Sequence, residues 1–211
     1  MEPVDNMKTS WRLLPLLFAS AVVRVDAAEE AAQTIDWSAP ANFGQLRHDY
    51  GWGDDYDAVC VAGRPSEELA DSVVAREYQK TVDLTTGWLQ QCPVDIKAHL
   101  YRSFALAGLG RNAEAATHKE WVKGLLDSIF ASGDGKTAET SYVTISVPEE
   151  YAVVGSLNLR VKRQGLVANP LRDALTVTAE DGSERTIFFN PEAHFARIGK
   201  YEKRRSEGAG K

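Results

Sequence analysis

Four polar residues in the second half of the chain have the types and spacing that acid–base chemistry needs. His118 lies on a predicted helix, Asp134 lies in the Gly-rich turn that follows, and Glu149 and Glu150 come after the next apolar segment. Carboxylates and histidines that converge in a cleft act as general acids and bases. These four residues are the candidate catalytic set, and a hydrolase with a cleft beside the glycine turn is one functional hypothesis.

A structural interpretation of the same carboxylates competes with catalysis. Pro148 predicts the first turn of a helix, where the helix dipole favours the adjacent acids Glu149 and Glu150. Neighbouring helical positions also point in different directions, so the two carboxylates do not face each other. No Ser-His-Asp order, nucleophile elbow or H-E-x-x-H motif occurs. We therefore favour a non-enzymatic protein.

Two histidines lie on what we predict to be facing helices. His99 and His118 approach each other if both face the seam between those helices, and Glu114 is the nearest third ligand for a metal. The alternative is that His118 pairs with Glu114 and stacks on Trp121. We favour the alternative, and we predict neither a metal nor a cofactor.

Residues 93–130 form the segment around which the chain is organised. The apolar spacing predicts one helix from Asp95 to Leu109 and a second that Asn112 caps. Gly110 provides the left-handed residue that ends the first helix. Because the connection is short, the two helices are antiparallel neighbours.

The hairpin resembles a tetratricopeptide repeat. Ala98, the Leu109-Gly110 pair and Ala115 occupy the positions of that repeat's Ala, Leu-Gly turn and second small residue. The resemblance implies a concave surface that binds a peptide or a protein partner. The candidate binding residues are Tyr101, His99, Trp121 and Tyr151. Since arrays of this kind need about three units for stability, another part of the chain must cover the hairpin.

The β part follows the hairpin. Residues 142–147 alternate apolar and polar side chains, and two further strands, 175–179 and 184–189, are joined through Asp181-Gly182. With that pair at the centre of the turn, Leu175 faces Phe188 and Val177 faces Thr186. The predicted fold is α+β: tetratricopeptide-like helical hairpins, then a small antiparallel β-sheet and a short C-terminal helix that Pro191 opens.

The N-terminal region has the pattern of a secretory signal peptide. Lys8 and Arg12 precede an apolar run at residues 13–23, and small residues before Ala28 form a cleavage site. We expect residues 1–27 to be removed, so that no stable membrane insertion remains, in a periplasmic or extracellular protein. The predicted organisation then continues with a leader and short helix at 28–54 and a single α+β domain at 55–198. That domain has a helical part at 55–131 and a β part at 140–198, and a disordered basic tail follows at 199–211.

Cys60 and Cys92 are the two cysteines of the chain. An exported protein meets an oxidising compartment, where an even number of cysteines indicates a disulfide. Two buried free thiols are the alternative. The bridge and the two free thiols remain open at this point. Neither cysteine lies in a nucleophile motif, so we predict no catalytic role.

The overall charge bears on the class of partner. The formal net charge of −6 disfavours nucleic acid, which binds basic surfaces. The predicted partner is a protein or peptide of the cell envelope.

Five short motifs follow one another between residues 124 and 151: Gly124-Leu125-Leu126, Ser128-Ile129, Ser132 to Gly135, Ile145-Ser146-Val147 and Glu149-Glu150-Tyr151. In this order they resemble a bacterial family of exported proteins, domain of unknown function 4919. The resemblance covers residues 55–198, and Pro148 departs from the pattern. It implies the fold and export, but no reaction.

Overall fold

The computed structural model describes residues 35–39 and 41–208, except for the side chains of 202 and 204–208. The predicted signal peptide and residues 28–34 and 40 of the leader therefore lie outside the described residues. The described helices and strands are, in chain order, α1 (Phe43–Trp52), a π-helix (Asp57–Ala62), α2 (Ser66–Val74), α3 (Tyr78–Gln91), α4 (Ile96–Gly108), α5 (Asn112–Phe130), β1 (Tyr142–Val143), α6 (Val147–Ser156), β2 (Arg160–Val167), β3 (Arg172–Thr178), β4 (Glu184–Asn190) and α7 (Glu192–Gly208).

The central hairpin consists of α4 and α5, with α3 packed beside α4. The Asp95 side chain caps α4 by accepting a hydrogen bond from the Ala98 amide. Gly110 takes a left-handed conformation, φ 75°, in the connection. The prediction that Asn112 caps α5 is wrong: the helix begins at Asn112 itself, and no side chain caps it.

The strand predicted for residues 142–147 is shorter than expected: β1 ends at Val143, and Val147 is already the first residue of α6. β1 pairs in parallel with β4 only at Tyr142 and Val143. At Ile145 the backbone amide donates to the Glu149 carboxylate at 2.9 Å, so a side chain replaces a strand partner. As predicted, Glu149 and Glu150 lie in the first turn of α6.

The sheet has four strands in the order β1-β4-β3-β2. β2 is not among the predicted strands, because most of its side chains are exposed and no apolar alternation marks them. The β1–β4 pair is parallel, whereas the other pairs are antiparallel.

The β3–β4 register differs by one residue from the prediction. Leu175 faces Ile187, and Val177 faces Arg185. The reason is that Ala179 donates to the Ser183 carbonyl, which leaves three residues in the loop, with Gly182 left-handed at φ 82°. Three-residue loops of this kind are a common alternative to the two-residue turn on which the prediction rested.

The C-terminal helix is longer than predicted. α7 runs to Gly208, past the expected end at residue 198 and through much of the predicted tail. Gly199 alone does not end the helix, and the Lys, Glu and Arg residues that follow are good helix formers. Arg197 anchors α7 by donating to the carbonyls of Gly51 and of Ile145, the latter at 2.8 Å, and its guanidinium lies 4.3 Å from the Tyr56 ring centroid.

Helices and sheet share one hydrophobic core, and the fold is α+β as predicted. Leu125 and Ile129 of α5, Val153 of α6, and Leu175 and Phe189 of the sheet all belong to it and are almost fully buried. The β layer therefore covers the hairpin. Among the described helices, none has an apolar stretch of the length that crossing a bilayer requires.

Cys60 and Cys92 form a disulfide with a Cα–Cα distance of 5.3 Å. The bridge ties the π-helix to the residue that follows α3. Of the two alternatives, the structure therefore contains the disulfide.

Candidate functional site

A groove of about 800 Å³ opens between the α4–α5 hairpin and α6. Its walls are mainly apolar, and its floor includes Tyr56 and Cys60 of the segment around the π-helix. Two aromatic residues predicted to bind a ligand, Tyr101 of α4 and Tyr151 of α6, line it. Tyr151 is 46% exposed and Leu100 is 50% exposed, so the groove offers accessible apolar surface.

The groove continues along the hairpin as a shallower depression of about 450 Å³. Leu100, Val122 and Leu126 line both parts. The two parts together form a channel along the α4–α5 surface, which we call the hairpin groove.

Two carboxylates in the wall of the hairpin groove, Glu149 and Asp95, are held by buried or partly buried partners. Glu149 receives two hydrogen bonds from Arg47, from Nε at 2.8 Å and from Nη2 at 2.7 Å. Asp95 accepts from Arg64 Nη2 at 2.9 Å and from Trp88 Nε1 at 2.8 Å. Such bidentate, charge-assisted bonds fix both side chains in place. Glu149 therefore joins α6 to α1 as a structural ion pair.

The other two predicted binding residues, His99 and Trp121, lie elsewhere. With His118, Arg102 and Trp37 they form a buried cluster along the hairpin, which we call the histidine seam. His99 stacks on Trp121 with ring centroids 5.0 Å apart, and the Trp121 indole donates to the Trp37 carbonyl at 2.8 Å. Both residues are inside the protein and offer no surface to a ligand.

The hydrogen bonds of the seam have one consistent assignment of protons. Arg102 Nε donates to His118 Nε2 at 2.8 Å, so His118 carries its proton on Nδ1. That proton is donated to His99 Nδ1 at 2.8 Å. His99 then holds its proton on Nε2 and donates it to the Pro93 carbonyl at 2.9 Å. Both histidines are neutral, and all four ring nitrogens have partners.

Electrostatics agree with neutral histidines. Burial, together with a smaller effect of the Arg102 charge, lowers the pKa of His99 to about 4, although the hydrogen bond to the Pro93 carbonyl acts in the opposite direction. Burial, then His99 and then Arg102, lower the pKa of His118 to about 3. Since all four ring nitrogens are already occupied, the seam is a core element. The competing prediction that Glu114 pairs with His118 is wrong: Glu114 is exposed and binds Arg111.

The four candidate catalytic residues do not form one site. Asp134 is on the surface, bonded to Thr140 at 2.6 Å. His118 belongs to the seam, and Glu149 is paired with Arg47. Glu150, the fourth residue, is fully buried on α6. The hydrolase hypothesis required these side chains to converge in one cleft, and they do not.

Glu150 is buried, and within the described part of the chain neither of its carboxylate oxygens makes a hydrogen bond. The nearby Thr144 hydroxyl also has no hydrogen-bond partner among those residues. Burial, and secondarily the negative charge of Asp173, raise the pKa of Glu150 to about 9. Glu150 is therefore protonated at neutral pH and opens to no cavity among those described.

No group of three or more His, Cys, Asp and Glu side chains within the described residues is arranged to hold a metal ion. The two neighbouring histidines use their nitrogens for each other, for Arg102 and for Pro93.

Comparison with known sequences gives the family. Residues 40–198 match the domain of unknown function DUF4919. The chain belongs to the DUF4919 family. The match includes the helical hairpin, α6 and the whole sheet, and it starts early enough to include α1 and its Arg47. No curated protein and no solved structure matches the chain.

Sequence reasoning missed the arginines that fix this DUF4919 fold. Arg47 reaches a carboxylate 102 residues away, and Arg197 reaches the Ile145 carbonyl 52 residues away. No local motif marks such contacts. The contact of Arg102 with His118, 16 residues away across the hairpin, could have been predicted from the helical periodicity of the two helices.

Proposed function

We propose that the protein is a non-enzymatic binding module that holds a peptide segment of a partner in the hairpin groove. The observation that carries the proposal is the groove itself, about 800 Å³ of mainly apolar, accessible channel between α4, α5 and α6. Pockets that bind ligands are typically concave, apolar and largely preformed.

The shape favours an extended or helical peptide over a compact small molecule. The shallower depression lengthens the channel along the hairpin through Leu100, Val122 and Leu126. Grooves between helices receive peptides through a row of apolar anchors. The exposed ring of Tyr151 and the partly exposed ring of Tyr101 supply the large amphipathic contacts that binding surfaces favour.

A peptide-display selection on the full chain tests the proposal. Gly155 of α6 lines the groove, and a Cβ added there meets no atom within 4 Å. Gly155→Trp therefore fills groove space without disturbing the core. We expect enriched peptides to bind the unmodified chain and to lose at least about tenfold in affinity against Gly155→Trp, since a blocked pocket excludes its anchor.

Gly87→Trp is the matched control. Gly87 lies on α3, and an added Cβ there also meets no atom within 4 Å, but Gly87 does not line the groove. It should bind the selected peptides as the unmodified chain does. Failure to enrich any peptide, or equal binding by Gly155→Trp and Gly87→Trp, would remove the groove as the binding site.

We also propose that the protein acts in the cell envelope or outside the cell. The support is the signal-peptide pattern of residues 1–27 together with the Cys60–Cys92 bridge, because disulfides persist in oxidising compartments. Expression in a host with a general secretion pathway should yield an exported product that begins at Ala28. Intact-mass measurement of a cytosolic, full-length product would contradict the proposal.

A further inference from the structure

The hairpin groove carries positive charge on a chain that is acidic overall. The formal net charge of the chain is −6. Four basic side chains line the groove against three acidic ones. The basic residues are Arg64, Lys97, Lys119 and Lys123, and the acidic residues are Asp95, Asp127 and Glu149.

The three acids of the groove already have cationic partners. The distances are 2.9 Å for Asp95 to Arg64, 2.5 Å for Asp127 to Lys123, and 2.7 Å for Glu149 to Arg47, which lies behind the wall. These carboxylates therefore leave little negative potential inside the channel.

Two lysines of the groove lack such a partner. Within the described part of the chain, no carboxylate lies within ion-pair distance of Lys97 or Lys119. Lys97 lines the deep part of the channel, where its ammonium lies 5.3 Å from the centroid of the Tyr101 ring, and Lys119 lines the shallow part. A ligand carboxylate is the complement that both positions lack.

Resting on the binding function above, we propose that the groove selects peptides that combine apolar side chains with acidic ones. Lys97 is the residue that pairs with an acidic side chain of the peptide. The apolar wall supplies affinity for any apolar peptide, and the unpaired lysines favour acidic sequences. The net negative charge of the whole protein repels peptides that are highly acidic. The ligand therefore needs apolar side chains as well as acidic ones.

Three matched peptides test this selection. They share the same apolar residues at alternate positions and carry Glu, Gln or Lys at the others. In fluorescence anisotropy with the full chain at low ionic strength, we expect the Glu peptide to bind about fivefold more tightly than the Gln peptide and the Lys peptide to bind most weakly. Added salt should narrow these differences.

Charge reversal at one residue gives the decisive comparison. Lys97→Glu should weaken the Glu peptide and strengthen the Lys peptide, which reverses their order. Lys136→Glu changes the net charge equally, on the exposed loop after α5 and outside both parts of the groove. It should preserve the order seen with the unmodified chain.

The failures of the two proposals are distinguishable. Equal binding of the three peptides, or an unchanged order in Lys97→Glu, would overturn the charge selection and leave peptide binding intact. If none of the three binds at millimolar concentration, both proposals fall. Binding of dodecanoate without binding of any peptide would assign the groove to an acyl chain and overturn the peptide ligand.

Discussion

The histidine seam and the hairpin groove use the same two helices in different ways. In the seam, His99, His118 and Trp121 are at most 5% exposed, and all four histidine nitrogens have partners. In the groove, Leu100 is 50% exposed, and no carboxylate of the described residues lies within ion-pair distance of Lys97. The residues with the more distinctive chemistry form the core, whereas ordinary Leu, Val and Lys residues line the accessible channel.

The difference has a physical origin. Imidazole and indole rings carry polar atoms that a core accepts only when each finds a hydrogen-bond partner, and the seam supplies them. Once those partners are protein groups, nothing remains to hold a ligand. The groove has the opposite property, because its apolar side chains have lost less contact with water than those of the core and have more to gain from a ligand.

The largest effect is expected in the seam, on truncation of its central indole. Trp121→Ala removes a buried ring together with the hydrogen bond to Trp37. We expect the free energy of unfolding to fall by about 4 kcal/mol, as for other buried aromatic truncations. Urea unfolding measures it. A loss below about 1 kcal/mol would show that the seam is not a core element.

Loss of the disulfide is expected to have the next largest effect on stability. Cys60 lines the groove, and Cys92 directly precedes Pro93, whose carbonyl accepts the hydrogen bond from His99 in the seam. The Cys60→Ser, Cys92→Ser double variant frees a loop with a sequence separation of 32 residues. Loop entropy predicts a loss of roughly 3.7 kcal/mol, measured by urea unfolding against the unmodified chain. If the difference in stability persists after a reducing agent is added to both proteins, the bridge is not the cause.

Acid should weaken the seam selectively. The folded pKa values of about 4 for His99 and about 3 for His118 lie below the ordinary value of 6.5, so unfolding takes up protons as the pH falls below 6.5. Between pH 7 and pH 5 this linkage costs about 2 kcal/mol for each histidine. The double variant His99→Gln, His118→Gln should not show this loss when its free energy of unfolding is measured between pH 7 and pH 5.

Protonation of Glu150 has the opposite effect on stability from that of the two histidines. Replacing Glu150 therefore makes the loss of stability between pH 7 and pH 5 easier to measure. Its pKa of about 9 lies above the ordinary 4.5, so folding retains a proton and stability falls as the pH rises between these values. Glu150→Gln eliminates this term. In that background the loss between pH 7 and pH 5 should be steeper than in the unmodified chain, and an unchanged slope would contradict the assigned protonation of Glu150.

The smallest effect on stability is expected in the groove. Leu100→Ala removes a half-exposed side chain, and we expect a loss below about 1 kcal/mol in urea unfolding. The same variant should reduce peptide affinity, because Leu100 lines both parts of the channel. If Leu100→Ala loses more than about 1 kcal/mol of stability and still binds the peptide with unchanged affinity, Leu100 belongs to the core and not to the binding surface.

Local signals predicted much of the fold. Gly110 and Pro148 mark real helix ends, and the α+β class, the shared core and the family are confirmed. The site was less predictable. Helical spacing placed Tyr101 and His99 on one helix, but only the packing of Trp37 and Trp121 decides that His99 is enclosed and Tyr101 is not. Contacts such as Arg47 to Glu149 join distant segments and leave no local pattern.

Amide and indole NMR shifts during titration with a display-selected peptide test most directly whether the groove, and not the seam, is the binding surface. We predict that the largest changes occur at the amides of Leu100, Tyr101 and Tyr151, while the Trp121 indole N–H, bonded inside the seam to the Trp37 carbonyl, keeps its position. Changes centred on the Trp121 indole, with the α4 and α6 amides unmoved, would contradict the account.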